Sequence, residues 1–471
     1  MKKRYEINMT KGPLLPELLQ FILPLMLSSM LQIAFNAADL IVVGRFGRPH
    51  SMAAVGANGA MINLIINVLM GLATGGGVLC ARYYGANQTD KLHRTVSTTL
   101  ITGVIVARSD FVEAHPAAVG SFLTAYAASV DWVNANTADA AALIGEYEVL
   151  PLATVYLRIY FLGLPVMALY NFSAAALRAL GNTRQPLIYL AIAGVLNVIM
   201  NLFFVIVVGI DVAGVAIATV LSQCVSGFLT VRCLLTSQEL HVKELHFSGH
   251  IFKKMMNIGI PAGIQGSLFS ISNFIIQASV NSFGAAVIAG NSACVSVEGL
   301  LYCPSDAVMQ AATTAVSQNV GAQEYERSRS VARWSMVLVV VLTGILTVPA
   351  VVFRRQVLGL YTSSGAELEA AFTRMMIVCL TYSLDGTMAA MSGVNRGLGY
   401  SMLSAAVTFV GACVFRIIWV YTVFASVGTL ESLYVSYPIS WILSTAAHIV
   451  CYYIIRKKPF KATLEAKAAA A

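Results

Sequence analysis

The chain has 471 residues, 58% of them hydrophobic and 11% charged, with a net charge of +8 and a mean hydropathy of +0.75. A soluble domain carries about 25% charged residues, so a soluble enzyme, a disordered tail, a coiled coil and a disulfide-stapled secreted domain are excluded. Long unbroken apolar runs exclude a transmembrane barrel as well, and leave an all-α polytopic membrane protein.

A spanning helix needs about 20 mainly apolar residues. Twelve runs qualify as predicted spans, in chain order 14–44, 52–80, 92–107, 149–177, 185–209, 212–235, 255–283, 285–318, 334–353, 370–395, 400–425 and 428–455. The N-terminus has the charge of a signal peptide but no small-residue cleavage site, so the first run is expected to be retained. The third run is the weakest: VSTTLITGVIVA stops at Arg108. The stretch 108–147 then holds five of the 22 acids, and its apolar residues recur on one helical face. That is a soluble amphipathic pattern, expected to break at Asn136-Thr137 before a second short helix.

The basic residues orient the spans. With the N-terminus inside, 22 of the 30 lysines and arginines fall in cytoplasmic segments, five fall outside, and Arg158, Arg374 and Arg416 lie within spans. Cytoplasmic loops carry such an excess. Both termini are therefore expected to be cytoplasmic, in the inner membrane. The same placement removes nucleic acid as a partner; the lipid bilayer and a small-molecule substrate remain. The eight cysteines lie in or beside apolar segments without a CxxC pair, and read as small buried apolar residues, with no metal and no disulfide. No nucleotide-binding loop occurs, and no cofactor is expected.

The chain repeats itself in parallel. Pro24, Asn36, Phe46 and Gly47 recur 237 residues on as Pro261, Asn273, Phe283 and Gly284. Gly85-Ala86-Asn87 recurs as Gly321-Ala322-Gln323, and Arg178-Ala179-Leu180-Gly181 as Arg396-Gly397-Leu398-Gly399. Six spans repeated in one direction predict two pseudo-symmetric six-helix bundles, 1–240 and 241–460, followed by a tail at 461–471, with the binding site between the halves.

Charge inside a span is costly and usually faces a cavity. Asp39 is the one acid deep in the first span, and Asn36 lies three residues earlier on nearly the same face. Asn197 and Asn201 stand one turn apart in the fifth. A carboxylate with amides nearby can bind Na⁺ or take up a proton. In the second half Asp385 is a further ion-coupling candidate. Arg416 calls for a carboxylate partner, Glu298 or Asp385. Pro24 and Pro261 would bend the first helix of each bundle. Gly71 and Gly75, like Gly259 and Gly263, stand four residues apart and suit close helix packing.

Span number, repeat and motif order together resemble the MATE (multidrug and toxic compound extrusion) family of transporters. The resemblance rests on PLMLSSMLQIAFNAADLIVVGRFG, YLRIYFLGLPVMALYNFSAAALRALGNTRQPL and GIPAGIQGSLFSISNFIIQASVNSFG, and looks nearest to the bacterial DNA-damage-inducible F-like branch. It implies a central cavity, alternating access, and export of drug-like, often cationic molecules in exchange for H⁺ or Na⁺. It also implies an ion-coupling role for Asp39, a bend at Pro24, and a functional acid at Asp385, eight residues before the Gly of the GxxRG motif at 393–397. The seventh span lacks the acid of sodium-coupled members, and the fifth offers asparagines where some proton-coupled members have an acid. A monomer is expected. The stretch 108–147 instead resembles a fragment of the solute-binding proteins of ABC importers, through FVEAHP and VDWVNAN. Two other functions remain open: a lipid-linked saccharide flippase of the same wider fold, and a chimera inactive in transport.

Overall fold

In hydrocarbon every backbone polar group must find its partner within the chain, which leaves the helix as the natural form for these runs. The computed structural model describes residues 7–48, 51, 54–55, 59–106, 140–236, 246–362 and 364–469, and its regular structure there is all helical. The main rods are α1 (Leu14–Phe46), α2 (Gly59–Gly85), α3 (Thr89–Val106), α4 (Ala140–Ala179), α5 (Arg184–Val208), α6 (Asp211–Leu235), α7 (Gly249–Asn281), α8 (Ala285–Gly321), α9 (Tyr325–Val352), α10 (the bent pair Gly365–Cys379 and Tyr382–Gly397), α11 (Ser401–Val427) and α12 (Leu430–Ala466). Among the described residues nine rods are long and apolar enough to cross a membrane, and α10 makes ten. The more polar α3 and α7 fall at the third and seventh predicted runs and do not reach that standard.

Large apolar side chains on the outside mark a lipid-facing surface: Leu162 is 75% exposed, Val207 72% and Tyr421 73%. Polar residues turn inward. In α3, Thr95, Thr98, Thr99 and Thr102 are buried, and each hydroxyl donates to the carbonyl four residues back at 2.7 Å. This internal satisfaction is how so polar a helix stays buried. The stretch 108–139 lies outside the described residues. From Ala140 the chain continues unbroken into the fourth span, so the separate second short helix expected there does not form. Charged first turns carry no apolar signal, which is why α9 starts at Tyr325 and not at 334.

The repeat recurs as backbone conformation. Asn87 and Gln323 take positive φ of 53° and 59°, and Gly181 and Gly399 take 86° and 101°. The two halves touch through matched residues. Gly85 lies against the carbonyl of Gln318, and Gly321 against the carbonyl of Arg82; neither site has room for a Cβ. The Gln318 amide donates to the Ala179 carbonyl at 2.9 Å, and the Arg82 guanidinium to the Gly397 carbonyl at 3.2 Å. Gln318 is the repeat partner of Arg82, and Gly397 that of Ala179. The contact is therefore isologous, each half offering the other the same surface. A local twofold axis passes between α2 and α8.

Residues 7–12 stitch this end closed. The Ile7 amide donates to the Gly181 carbonyl at 3.3 Å, and the Met9 amide to Gln318 Oε1 at 3.0 Å. Arg327 donates to the carbonyls of Met9, Lys11 and Gly12 at 2.7 to 2.8 Å and pairs with Glu17 at 2.8 Å. Farther along, α2 crosses α7 with Gly71 on Gly263 and Gly75 on Gly259, as the spacing of these glycines suggested. Pro24 and Pro261 are buried inside unbroken helices. The sharp bend recorded among the described residues is 41°, in α10, where Met375–Cys379 winds as a π-helix and no proline is present.

A Cβ at Gly71 would collide with the Gly263 backbone. Gly71→Leu is expected to lower the thermal unfolding midpoint of the detergent-purified chain, by an amount corresponding to about 1–3 kcal/mol of overpacking. Gly344→Ala, where a new Cβ meets nothing within 4 Å, should leave the midpoint unchanged or slightly raised.

Candidate functional site

Two polar centres hold the charged site candidates singled out above, and they share no side chain: the first surrounds Asp39, the second is a cavity between the halves. Asp39 is 7% exposed on α1. Its carboxylate accepts from the Asn201 amide at 2.5 Å and from the Thr219 hydroxyl at 3.4 Å. The Asn201 amide also donates to Asn197 Oδ1 at 3.2 Å, and the Asn197 amide to Thr219 Oγ1 at 3.4 Å. The one-turn spacing of the two asparagines on α5 thus delivers both to the same carboxylate. Asn201 Oδ1 is buried without a partner. Val42, Tyr156, Tyr160, Val205 and Val212 pack around the group. Asn36 is not part of it: its side chain is exposed. Thr219, on α6, was missed, because a lone threonine in an apolar helix carries no signal of its own.

The cavity has a volume of about 860 Å³ and is lined from both halves. Leu25, Ser28, Ser29 and Gln32 of α1 face it, two turns before Asp39, which does not. Three acids line it (Glu298, Asp306, Asp385), with four arginines (Arg178, Arg374, Arg396, Arg416) and the rings of Phe269, Tyr302, Tyr382, Tyr437 and Trp441. Asp385 is 7% exposed, and its Oδ2 has no hydrogen-bond partner.

The expected partner of Arg416 is corrected by the geometry. Glu298 pairs with Arg374, through Nε–Oε1 at 2.6 Å and Nη2–Oε2 at 2.8 Å. Arg374 also donates to Asn291 Oδ1 at 2.9 Å and lies over the rings of Tyr434 and Tyr437. Arg416 instead donates to the Ser440 hydroxyl at 2.9 Å and sits 4.1 Å above the Tyr437 ring. It makes no ion pair among the described residues, and its Nη2 is buried without a partner. Both cations are held over aromatic faces, which substitute in part for water. A polar thread went unread in the sequence. Arg396 donates to Gln265 at 3.0 Å, Gln265 to Thr408 at 3.3 Å, and Thr408 meets His448 Nε2 at 3.0 Å. The clue was His448, a histidine set within an apolar span.

The MatE family profile matches residues 24–108, 118–203 and 261–422. The second stretch takes in most of the segment 108–147 that reads as foreign to the rest. The chain is 26% identical over 397 residues to a probable multidrug resistance protein, YoeA, of Bacillus subtilis, covering 80% of each. It is 22% identical over 484 residues to an FAD transporter of Shewanella oneidensis, covering 98% of this chain and 99% of that one. In structure it resembles an outward-facing multidrug resistance transporter of the MOP superfamily, with a TM-score of 0.85 at 19% identity over 98% of this chain and 100% of that one.

Breaking a buried ion pair strands the remaining charge, at a cost of about 3–5 kcal/mol, whereas replacing both partners by apolar residues can be neutral. Arg374→Met should therefore lower the thermal midpoint steeply. The double variant Glu298→Leu with Arg374→Met should recover most of the loss in the same assay.

Proposed function

The chain belongs to the MatE family, and from that premise we propose that it is a secondary active antiporter that exports drug-like organic molecules in exchange for H⁺ or Na⁺. The observation that carries this reading is the pairing of a cavity lined from both halves with a separate buried carboxylate. On this reading residues 1–240 and 241–460 rock against one another. With both termini in the cytoplasm, as the basic residues suggest, the stitched end faces the cytoplasm and the protein stands in its outward-facing arrangement.

Asp39 is the proposed coupling group, with Asn197, Asn201 and Thr219 as its support. The unpartnered Asn201 Oδ1 offers the acceptor that a protonated carboxyl needs, or an oxygen ligand for Na⁺. Ion binding favours one state and substrate binding the other, because exchange works only through differential affinity. Asp385, a cavity-lining acid whose Oδ2 has no hydrogen-bond partner, supports cationic cargo. A second reading has its own support: Arg396 and Arg416 each keep a buried unpartnered nitrogen beside the cavity. That suits anionic cargo, as a saccharide flippase would require.

Asp39→Asn should abolish drug resistance in an exporter-deficient host while expression is unchanged; undiminished resistance would overturn the assignment. In proteoliposomes, H⁺ and Na⁺ gradients imposed separately should drive uptake under one of the two. A cationic dye whose transport falls with Asp385→Asn supports the first reading of the cargo. An anionic dye whose transport falls with Arg416→Gln supports the second.

A further inference from the structure

Cys294 and Glu298 stand one turn apart on α8, and Cys379 closes the π-helical segment of α10. Their three donor atoms form a nearly equilateral triangle. The sulfurs are 3.7 Å apart, Cys294 Sγ is 3.7 Å from Glu298 Oε1, and Cys379 Sγ is 3.8 Å from it. Both cysteines are fully buried, and Glu298 is 7% exposed. Among the described residues this is the one grouping of three such ligand atoms. The remaining buried cysteines have no comparable cluster there.

The spacing has a chemical meaning. A disulfide would need sulfurs about 2.05 Å apart. A tetrahedral zinc centre with Zn–S bonds of about 2.3 Å sets its thiolates about 3.8 Å from one another. The charge agrees as well. Two thiolates and the Glu298 carboxylate carry three negative charges and Arg374 one positive, which leaves the balance that a divalent cation cancels. Arg374 holds both carboxylate oxygens. Each ionised oxygen has a second lone pair, so Oε1 keeps one for a metal. The guanidinium acts as the outer partner that fixes such a ligand. Glu298 also lines the cavity, which gives an entry path to the thiols behind it.

We propose that Cys294, Cys379 and Glu298 form a binding site for a thiophilic divalent cation of the zinc or cadmium class, with a fourth position open toward the cavity. Binding displaces one proton from each thiol, so two protons leave as one metal enters. The bound ion would tie α8 to α10 immediately before the 41° bend. The site is independent of the coupling role of Asp39 and of the nature of the cargo.

The test uses the full chain in detergent, kept reduced by a phosphine and titrated with Cd²⁺. One equivalent per chain should bind with an ultraviolet thiolate-to-cadmium band, and Zn²⁺ in large excess should compete for the same site. The Cys294→Ser, Cys379→Ser double variant should lose the band, while Cys303→Ser retains it. A band that survives in the double variant, or never appears in the parent, overturns the site. X-ray absorption at the cadmium edge of the unaltered chain needs no variant to fold. A shell with two sulfurs and lighter neighbours supports the proposal; a shell with fewer sulfurs overturns it.

Discussion

Backbone meets backbone where α2 and α8 cross, and most of the architecture depends on that meeting. Gly85 and Gly321 let each helix rest on the other's carbonyl groups. Arg82 and Gln318 then reach across to the carbonyls of Gly397 and Ala179. Because the contact is reciprocal, neither half can approach the other differently on its own side. Farther along, Gly71 on Gly263 and Gly75 on Gly259 bring the halves together again. The N-terminal segment reinforces the crossing, since its amides and carbonyls bond to both halves at once. Residues 7–12 therefore belong to the closure.

Within the spans, four deep charges are tolerated by three different means. Glu298 and Arg374 neutralise one another in a bidentate pair, the strong form of such a bond. Arg416 trades its missing anion for two ring faces and a hydroxyl. Asp39 rests on neutral donors alone. Those are different answers to one desolvation cost, and they leave different capacities. A neutralised pair has its charge answered within the chain. A carboxylate held only by amides and a hydroxyl stays able to accept a cation.

The sequence made the spans readable because twenty apolar residues leave few alternatives, and it made the repeat readable because left-handed turns tolerate few residue types. It also placed Asn197 and Asn201 with Asp39, since helical spacing puts both amides on one face. Neighbours across helices were not legible. Arg374 and Glu298 are 76 residues apart, and nothing in either local string names the other. Arg416 looked like the partner because both are isolated charges in spans, yet it lies over Tyr437 and Trp441 and donates to Ser440. Asn36 shares nearly the face of Asp39, but the sixty-degree difference turns it out of the cluster. The bend in α10 lacks a proline, so its π-turn left no mark that composition could show.

Asp39 lies two turns of α1 beyond Gln32, which faces the cavity. Seven residues of helix rise about 10 Å, which sets the carboxylate apart from the cavity lining. On the proposed reading the two passengers have separate seats and can be aboard together. Strict exchange would then depend on α1 as a transmission shaft and not on rivalry for one group. Damage to that shaft would leave both passengers binding normally while the exchange slipped, and the protein would become a leak.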